Sequence, residues 1–220
     1  MKKILLMGAV ALFGLSNAQI AKGTSYLSGQ VEYYHNEKNE FEAKTKDDVI
    51  RILPTAGYFV DNNLAVGLGV GYKSAVTKYT VNGFGFLNTI EIKNTDNAFV
   101  IAPFVRKYWT LSDKLYIFGQ LQVPLEFGNE KLDFNSEGDG GDPILSAPFT
   151  EKNNYTNIGV NIKPGLDYFL TKNWSIEATI GEFGYNTYKK DMEGAKRTND
   201  YKFGVNLASV TFGVKYVFAK

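Results

Sequence analysis

Leu64-Ala65-Val66-Gly67-Leu68-Gly69-Val70-Gly71-Tyr72-Lys73 is the stretch on which the fold turns. Side chains of an extended chain alternate between two faces, so Leu64, Val66, Leu68, Val70 and Tyr72 share one side and Ala65, Gly67, Gly69, Gly71 and Lys73 the other. One face is large and oily, the other thin or charged. The division recurs at 157–170, where Ile158, Val160, Ile162, Pro164, Leu166, Tyr168 and Leu170 oppose Asn157, Gly159, Asn161, Lys163, Gly165, Asp167 and Phe169. It returns at the end of the chain, with Val210, Phe212, Val214, Tyr216 and Phe218 against Ser209, Thr211, Gly213 and Lys215. A soluble lipid carrier and a membrane barrel would both alternate, with their oily faces on opposite sides. The interior of a barrel of about eight strands is only wide enough for side chains, and rows of large apolar groups would overfill it. Pointing outward they meet lipid, while glycines and polar groups fit the narrow interior.

Working outward, the same period-2 pattern marks eight strands near 25–34, 48–60, 64–79, 88–109, 115–127, 156–170, 174–183 and 202–218. Their connections alternate in length. Asp61-Asn62-Asn63, Thr110 to Lys114 and Thr171-Lys172-Asn173 are tight turns, whereas His35 to Lys46, Ser74 to Asn97, Gly128 to Tyr155 and Gly184 to Tyr201 read as long polar loops. Short turns at one end and long loops at the other predict an all-β, eight-stranded, antiparallel up-and-down transmembrane barrel with both ends in the periplasm. Asn82-Gly83 between β-prone residues signals a hairpin, so the third and fourth strands are expected to project beyond the membrane as a ribbon.

At the front, Lys2 and Lys3 precede an apolar run from Ile4 to Leu15 and the small-residue site Ser16-Asn17-Ala18. That is the form of a secretory signal peptide, 1–18, cleaved before Gln19 and leaving a barrel domain at 19–220. The run is too short for a membrane helix, which needs roughly 20 apolar residues. Removing Lys2 and Lys3 leaves 22 basic against 23 acidic side chains, a balance that predicts no nucleic-acid partner. The absence of cysteine excludes a disulfide framework and thiolate metal sites.

Tyr58, Trp109, Tyr168, Trp174, Tyr216 and Phe218 all fall on the outward face within about two residues of the short turns, the depth of a periplasmic aromatic girdle. Register counting from Thr171-Lys172-Asn173 sets Asp167 opposite Glu177, both inward, with Arg106 and Lys215 at a similar height. Opposed carboxylates could serve as general acid and base, but they repel. Two acids held by two bases, a structural ion network in the lumen, is the favoured reading. His35 lacks a neighbouring nucleophile in sequence and reads as a solvated loop histidine. The acidic run Asp133 to Asp142 has the oxygens and glycines calcium uses without the spacing of a helix-flanked calcium loop, and reads as a flexible loop. Apolar Pro143-Ile144-Leu145 and Ala147-Pro148-Phe149 then either fold over the mouth or contact a partner. No cofactor is expected.

Several passages resemble a known family, the small outer-membrane β-barrel proteins of Bacteroidota, related in architecture to the OmpA and OmpX barrels. They are Pro54 to Val60 with Asp61 to Tyr72, Ala102 to Tyr108, and Lys163 to Leu170. Thr211, Gly213, Tyr216 and Phe218 look like the C-terminal signal read by the barrel-insertion machinery, although Ala219 and Lys220 follow the last aromatic. The resemblance implies residence in a Gram-negative outer membrane and partners in outer-membrane lipid and the insertion machinery; with no peptidoglycan-binding sequence after the barrel, an OmpA-like tether to the cell wall is not expected. A structural or surface-interaction role through the loops, in adhesion or membrane integrity, is the function expected, with an extracellular ligand or protein as partner. A narrow porin-like channel is the alternative; an enzyme is not expected.

Overall fold

The computed structural model describes residues 20–81, 89–136, 148–204 and 210–218. Its strands are β1 (Ser25–Glu40), β2 (Ala43–Asp61), β3 (Leu64–Val81), β4 (Ile90–Thr110), β5 (Leu115–Gln122), β6 (Leu125–Ser136), β7 (Phe149–Phe169), β8 (Trp174–Ile180), β9 (Glu182–Lys190), β10 (Thr198–Gly204) and β11 (Val210–Phe218). All pairings are antiparallel, and three pairs act as single staves: β5 with β6, β8 with β9, and β10 with β11. Eight staves form a ring, closed where β1 meets β2 on one side (Ser25 opposite Tyr58) and β11 on the other (Ser25 opposite Phe218). A closed ring leaves no strand edge to satisfy, the condition for crossing lipid with strands.

The outer wall is oily. Leu27, Ile52, Leu68, Phe99, Leu121, Ile162 and Val214 are exposed, while their chain neighbours Ser28, Leu53, Gly69, Val100, Gln122, Asn161 and Lys215 are buried. At the short-turn end, Asn63 adopts a left-handed backbone (φ +58°), which asparagine tolerates better than most residues. A second aromatic level, absent from the sequence reading, lies farther along the same face: Tyr72 pairs with Phe99, Phe99 with Phe127, and Tyr185 with Tyr201. Trp109 and Phe99 are ten residues apart, about 33 Å along a strand and about 25 Å along the normal at a tilt of ~40°, the height of an outer-membrane apolar band.

The stretches read as long loops are largely strand. β1 and β2 pair all the way to Glu40 opposite Ala43 and β6 and β7 to Phe134 opposite Phe149, while β3 and β4 form the projecting ribbon expected of them, to Val81 opposite Ile90. Beyond the membrane both faces of a strand are wet, so no contrast between oily and polar faces marks them in sequence. His35 accordingly lies within β1 rather than in a loop. Asn82-Gly83, Pro143 to Ala147 and the signal segment 1–18 fall outside the described residues.

A register change between β8 and β9 shapes the wall. Gly165 pairs with Thr179, but Ile162 pairs with Phe183, so β8 and β9 carry one extra residue at Gly181 (φ +82°), a glycine bulge. The bulge keeps Phe183 and Tyr185 on the oily face and turns Glu182 inward, 3.0 Å from Lys163 Nζ.

Candidate functional site

Two different interiors lie end to end inside the ring. In the half nearest the short turns, Tyr26, Phe59, Phe104, Tyr108, Tyr116 and Phe118 form a buried cluster, with Phe169 against it and Ile20 drawn in below. Ile20 is held by backbone contacts to the β2–β3 turn: Asn63 Oδ1 accepts from its N–H at 2.8 Å, and its carbonyl accepts from Asn63 N–H at 3.1 Å. Glycines make room for the rings. Tyr26 lies over its cross-strand partner Gly57, Phe104 over Gly67 and Phe118 over Gly165, each where a Cβ would come within 2.4 Å of the ring. The β3 glycines do more than fit the narrow interior, for Gly67 seats the plug.

Within this cluster sit Arg106, Asp167, Glu177 and Lys215, each no more than 1 % exposed. Asp167 and Glu177 are direct cross-strand partners on β7 and β8. Arg106 reaches across the lumen from β4 and donates to Glu177 Oε2 at 2.5 Å, while Lys215 from β11 is ion-paired with Asp167. Residues the sequence reading missed complete the shell. Ser28 and Gln30 donate to Glu177 Oε1 at 2.6 and 3.0 Å, Gln120 Oε1 accepts from Arg106 Nε at 2.7 Å, and the Tyr108 hydroxyl accepts from Arg106 at 3.1 Å and Lys215 at 3.3 Å. The guanidinium also lies 4.2 Å from the centre of the Phe118 ring. Inward parity on β1 and β5 was the signal available for Ser28, Gln30 and Gln120. Buried charges persist only when paired and hydrogen-bonded, and each of these four is paired.

Above the plug the lumen opens into a cavity of about 630 Å³. Gln122, Thr179 and Thr211 lie low in it, and its walls rise through Arg51, Lys73 and Glu126 to Tyr188 and Asp200 on the hairpin strands. Acids and bases alternate around it: Arg51 lies 3.9 Å from Glu32 and 3.8 Å from Glu126, and Lys73 lies 2.7 Å from Asp96, which also accepts from the Tyr155 hydroxyl at 2.6 Å. Asn161, 3 % exposed, lies over Gly184 across β7 and β9, as Asn186 lies over Gly159.

On the outer wall Tyr58, Trp109, Tyr168, Trp174 and Phe218 are exposed and Tyr216 half-exposed; Trp174, Tyr216 and Phe218 form a ladder with ring centres 4.9 and 5.1 Å apart. Thr211, Gly213, Tyr216 and Phe218 lie on β11, the strand that closes the ring.

Asp133 lies on β6, and its oxygens are engaged by Lys131 Nζ and Thr150 Oγ1, both at 2.7 Å. Residues 137–142 of the acidic run are outside the described residues, among which no group of three or more His, Asp or Glu side chains is placed to hold a metal ion. His35 Nδ1 contacts Asp48 Oδ1 at 2.6 Å on the exposed hairpin.

With a closed ring, an oily outer wall and a polar interior in view, the sequence matches the family described as outer membrane protein beta-barrel domain over residues 5–218. The chain belongs to that family. It is an outer-membrane β-barrel protein. Solved structures with a similar fold include OprG of Pseudomonas aeruginosa (13 % identity, 91 % of this chain and 98 % of that one, TM-score 0.44). Neisserial surface protein A is another (14 %, 90 % and 98 %, 0.39), as is the outer-membrane protease OmpT of Escherichia coli (10 %, 89 % and 91 %, 0.36). The search of curated proteins returned no match.

Proposed function

We propose that this barrel is a non-enzymatic surface protein, acting in adhesion or membrane integrity through its outer cavity and the hairpins around it rather than by passing solute. The observation that carries this reading is the plug: aromatic rings and two ion pairs fill the lumen on the short-turn side, with Ile20 beneath them. The carboxylates best placed for acid and base work, Asp167 and Glu177, are each committed to a cation, which favours a structural role. On the same reading residues 1–18 direct export and are removed, Tyr58, Trp109, Tyr168, Trp174, Tyr216 and Phe218 sit at the periplasmic headgroup level, and β11 carries the insertion signal. Purified protein in a planar bilayer should show no steady conductance. Stable single-channel steps would overturn the reading in favour of a narrow porin-like channel, for which the outer cavity would be the vestibule.

A further inference from the structure

Past the second aromatic level, the outward face of the β2–β3–β4–β6–β7 sheet carries an unusual row. Lys46 pairs with Lys78 and Lys78 with Lys93, so three lysines stand side by side on three adjacent strands, and the row continues through Asp133 to Thr150. Lys131 opposite Lys152 lies in the next row toward the membrane, and Lys44 in the next row away. Like charges directly opposed destabilise a strand pair. Internal compensation is partial: Glu37 bridges Lys44 at 2.6 Å and Lys46 at 3.2 Å, and Asp133 holds Lys131 at 2.7 Å. Lys93 acts on Asp133 only through its field, and Lys78 and Lys152 have no ion-pair or hydrogen-bond partner among the described residues. Asp48 and Glu91 share the outward face in the rows on either side, and the inward face of the neighbouring rows carries Asp47, Asp96, Glu130 and Glu151. Within the row itself positive charge is therefore in excess, three lysines against Glu37 and Asp133, in a chain whose overall charge is near zero.

The height of the row narrows the ligand. Lys93 is six residues beyond Phe99, about 15 Å above the apolar band for a strand tilted by ~40°. A phospholipid headgroup layer adds only about 6 Å per leaflet and falls short. A headgroup of several sugars carrying phosphate or carboxylate reaches it, and lysine ammonium groups are suited to such anions. We infer that Lys46, Lys78 and Lys93, flanked by Lys44, Lys131 and Lys152, bind the anionic oligosaccharide headgroup of an outer-leaflet glycolipid. The patch faces sideways over the membrane rather than upward from the hairpin tips, which favours a membrane-held ligand over a soluble one. The inference rests on the outer-membrane placement of the barrel and names a partner for its surface.

The test uses the full chain folded in phosphatidylcholine nanodiscs, its folding checked by heat-modifiable gel mobility, with purified lipopolysaccharide as probe. Lys46→Gln, Lys78→Gln and Lys93→Gln together should weaken binding at least about tenfold, as should raising salt from about 50 to about 500 mM. Replacement of the same three by arginine should retain binding, and Lys22→Gln with Lys172→Gln at the opposite end should leave it unchanged. Equal affinity for lipopolysaccharide in the triple glutamine variant would overturn the site. Equal affinity of the wild type for the delipidated saccharide would overturn the membrane-held source and assign the row to a soluble polyanion. If the triple variant loses heat-modifiable mobility, Lys78→Gln alone and the salt series decide. Conductance is a separate readout, so failure here is distinguishable from failure of the closed-barrel reading.

Discussion

Arg106 and Arg51 both point into the same lumen toward a glutamate, yet they live in different solvents. Arg106 is 1 % exposed and lies 2.5 Å from Glu177, whose other oxygen is held by Ser28 and Gln30. The Arg51 side chain is 31 % exposed and stands 3.9 and 3.8 Å from two glutamates beside the open cavity. The difference teaches that a charge pair in this barrel counts according to depth rather than residue type. Near the plug, removing one partner strands the other without water. Near the mouth, water takes over the pairing.

The largest effect should therefore come from Glu177→Gln, which leaves the Arg106 charge buried without its carboxylate and should destabilise the barrel by about 3–5 kcal/mol in urea unfolding from lipid vesicles. Lys215→Met should do comparable damage by stranding Asp167. Arg51→Gln should cost about 0–1 kcal/mol. Equal costs at the two depths would break the comparison. Replacing Arg106 and Glu177 together by methionine should recover much of the loss, since an apolar pair leaves no unpaired charge, and a double-mutant cycle measures that coupling.

A smaller effect separates the filled wall from the outer one. Alanine at Gly67 would bring a Cβ to 2.4 Å from the Phe104 ring, whereas alanine at outward-facing Gly29 would meet nothing within 4 Å. Gly67→Ala should cost about 1–3 kcal/mol and Gly29→Ala less than about 0.5, read from the same unfolding curves.

The smallest effect should lie on the first hairpin. Hydrogen bonds from Lys44 and then Lys46 hold the Glu37 carboxyl at about 2, below its ordinary 4.5. Its folded value is depressed, so any stability it lends is present above the ordinary value and lost as pH falls from about 4.5 to about 2. The pair faces water, with side chains 41 and 31 % exposed, and is screened. Glu37→Gln should leave the urea midpoint unchanged at neutral pH, while an NMR titration should find the carboxyl protonating near 2.

Much of the wall is legible residue by residue. Alternation in Leu64 to Lys73 assigns inside and outside because lipid and lumen demand opposite side chains, and counting from Thr171-Lys172-Asn173 pairs Asp167 with Glu177. The extensions of the first and third hairpins are not legible, because His35 to Glu40 and Gly128 to Ser136 face water on both sides and give no contrast to count, whereas Asn82-Gly83 announces the ribbon of β3 and β4. The Gly181 bulge is equally silent, since Ile180, Glu182 and Phe183 fit either register until β7 fixes one.

By itself the sequence determined which residues extend within the membrane, which face lipid and where the short turns fall, since each depends on neighbours within a few residues and on the solvent outside. Only the tertiary structure decided that Arg106 meets Glu177 across the lumen, that Phe104 lies over Gly67, and that Lys46, Lys78 and Lys93 share a row. Those contacts depend on the registers between staves, and across the lumen on the whole closed ring. No single strand encodes that sum.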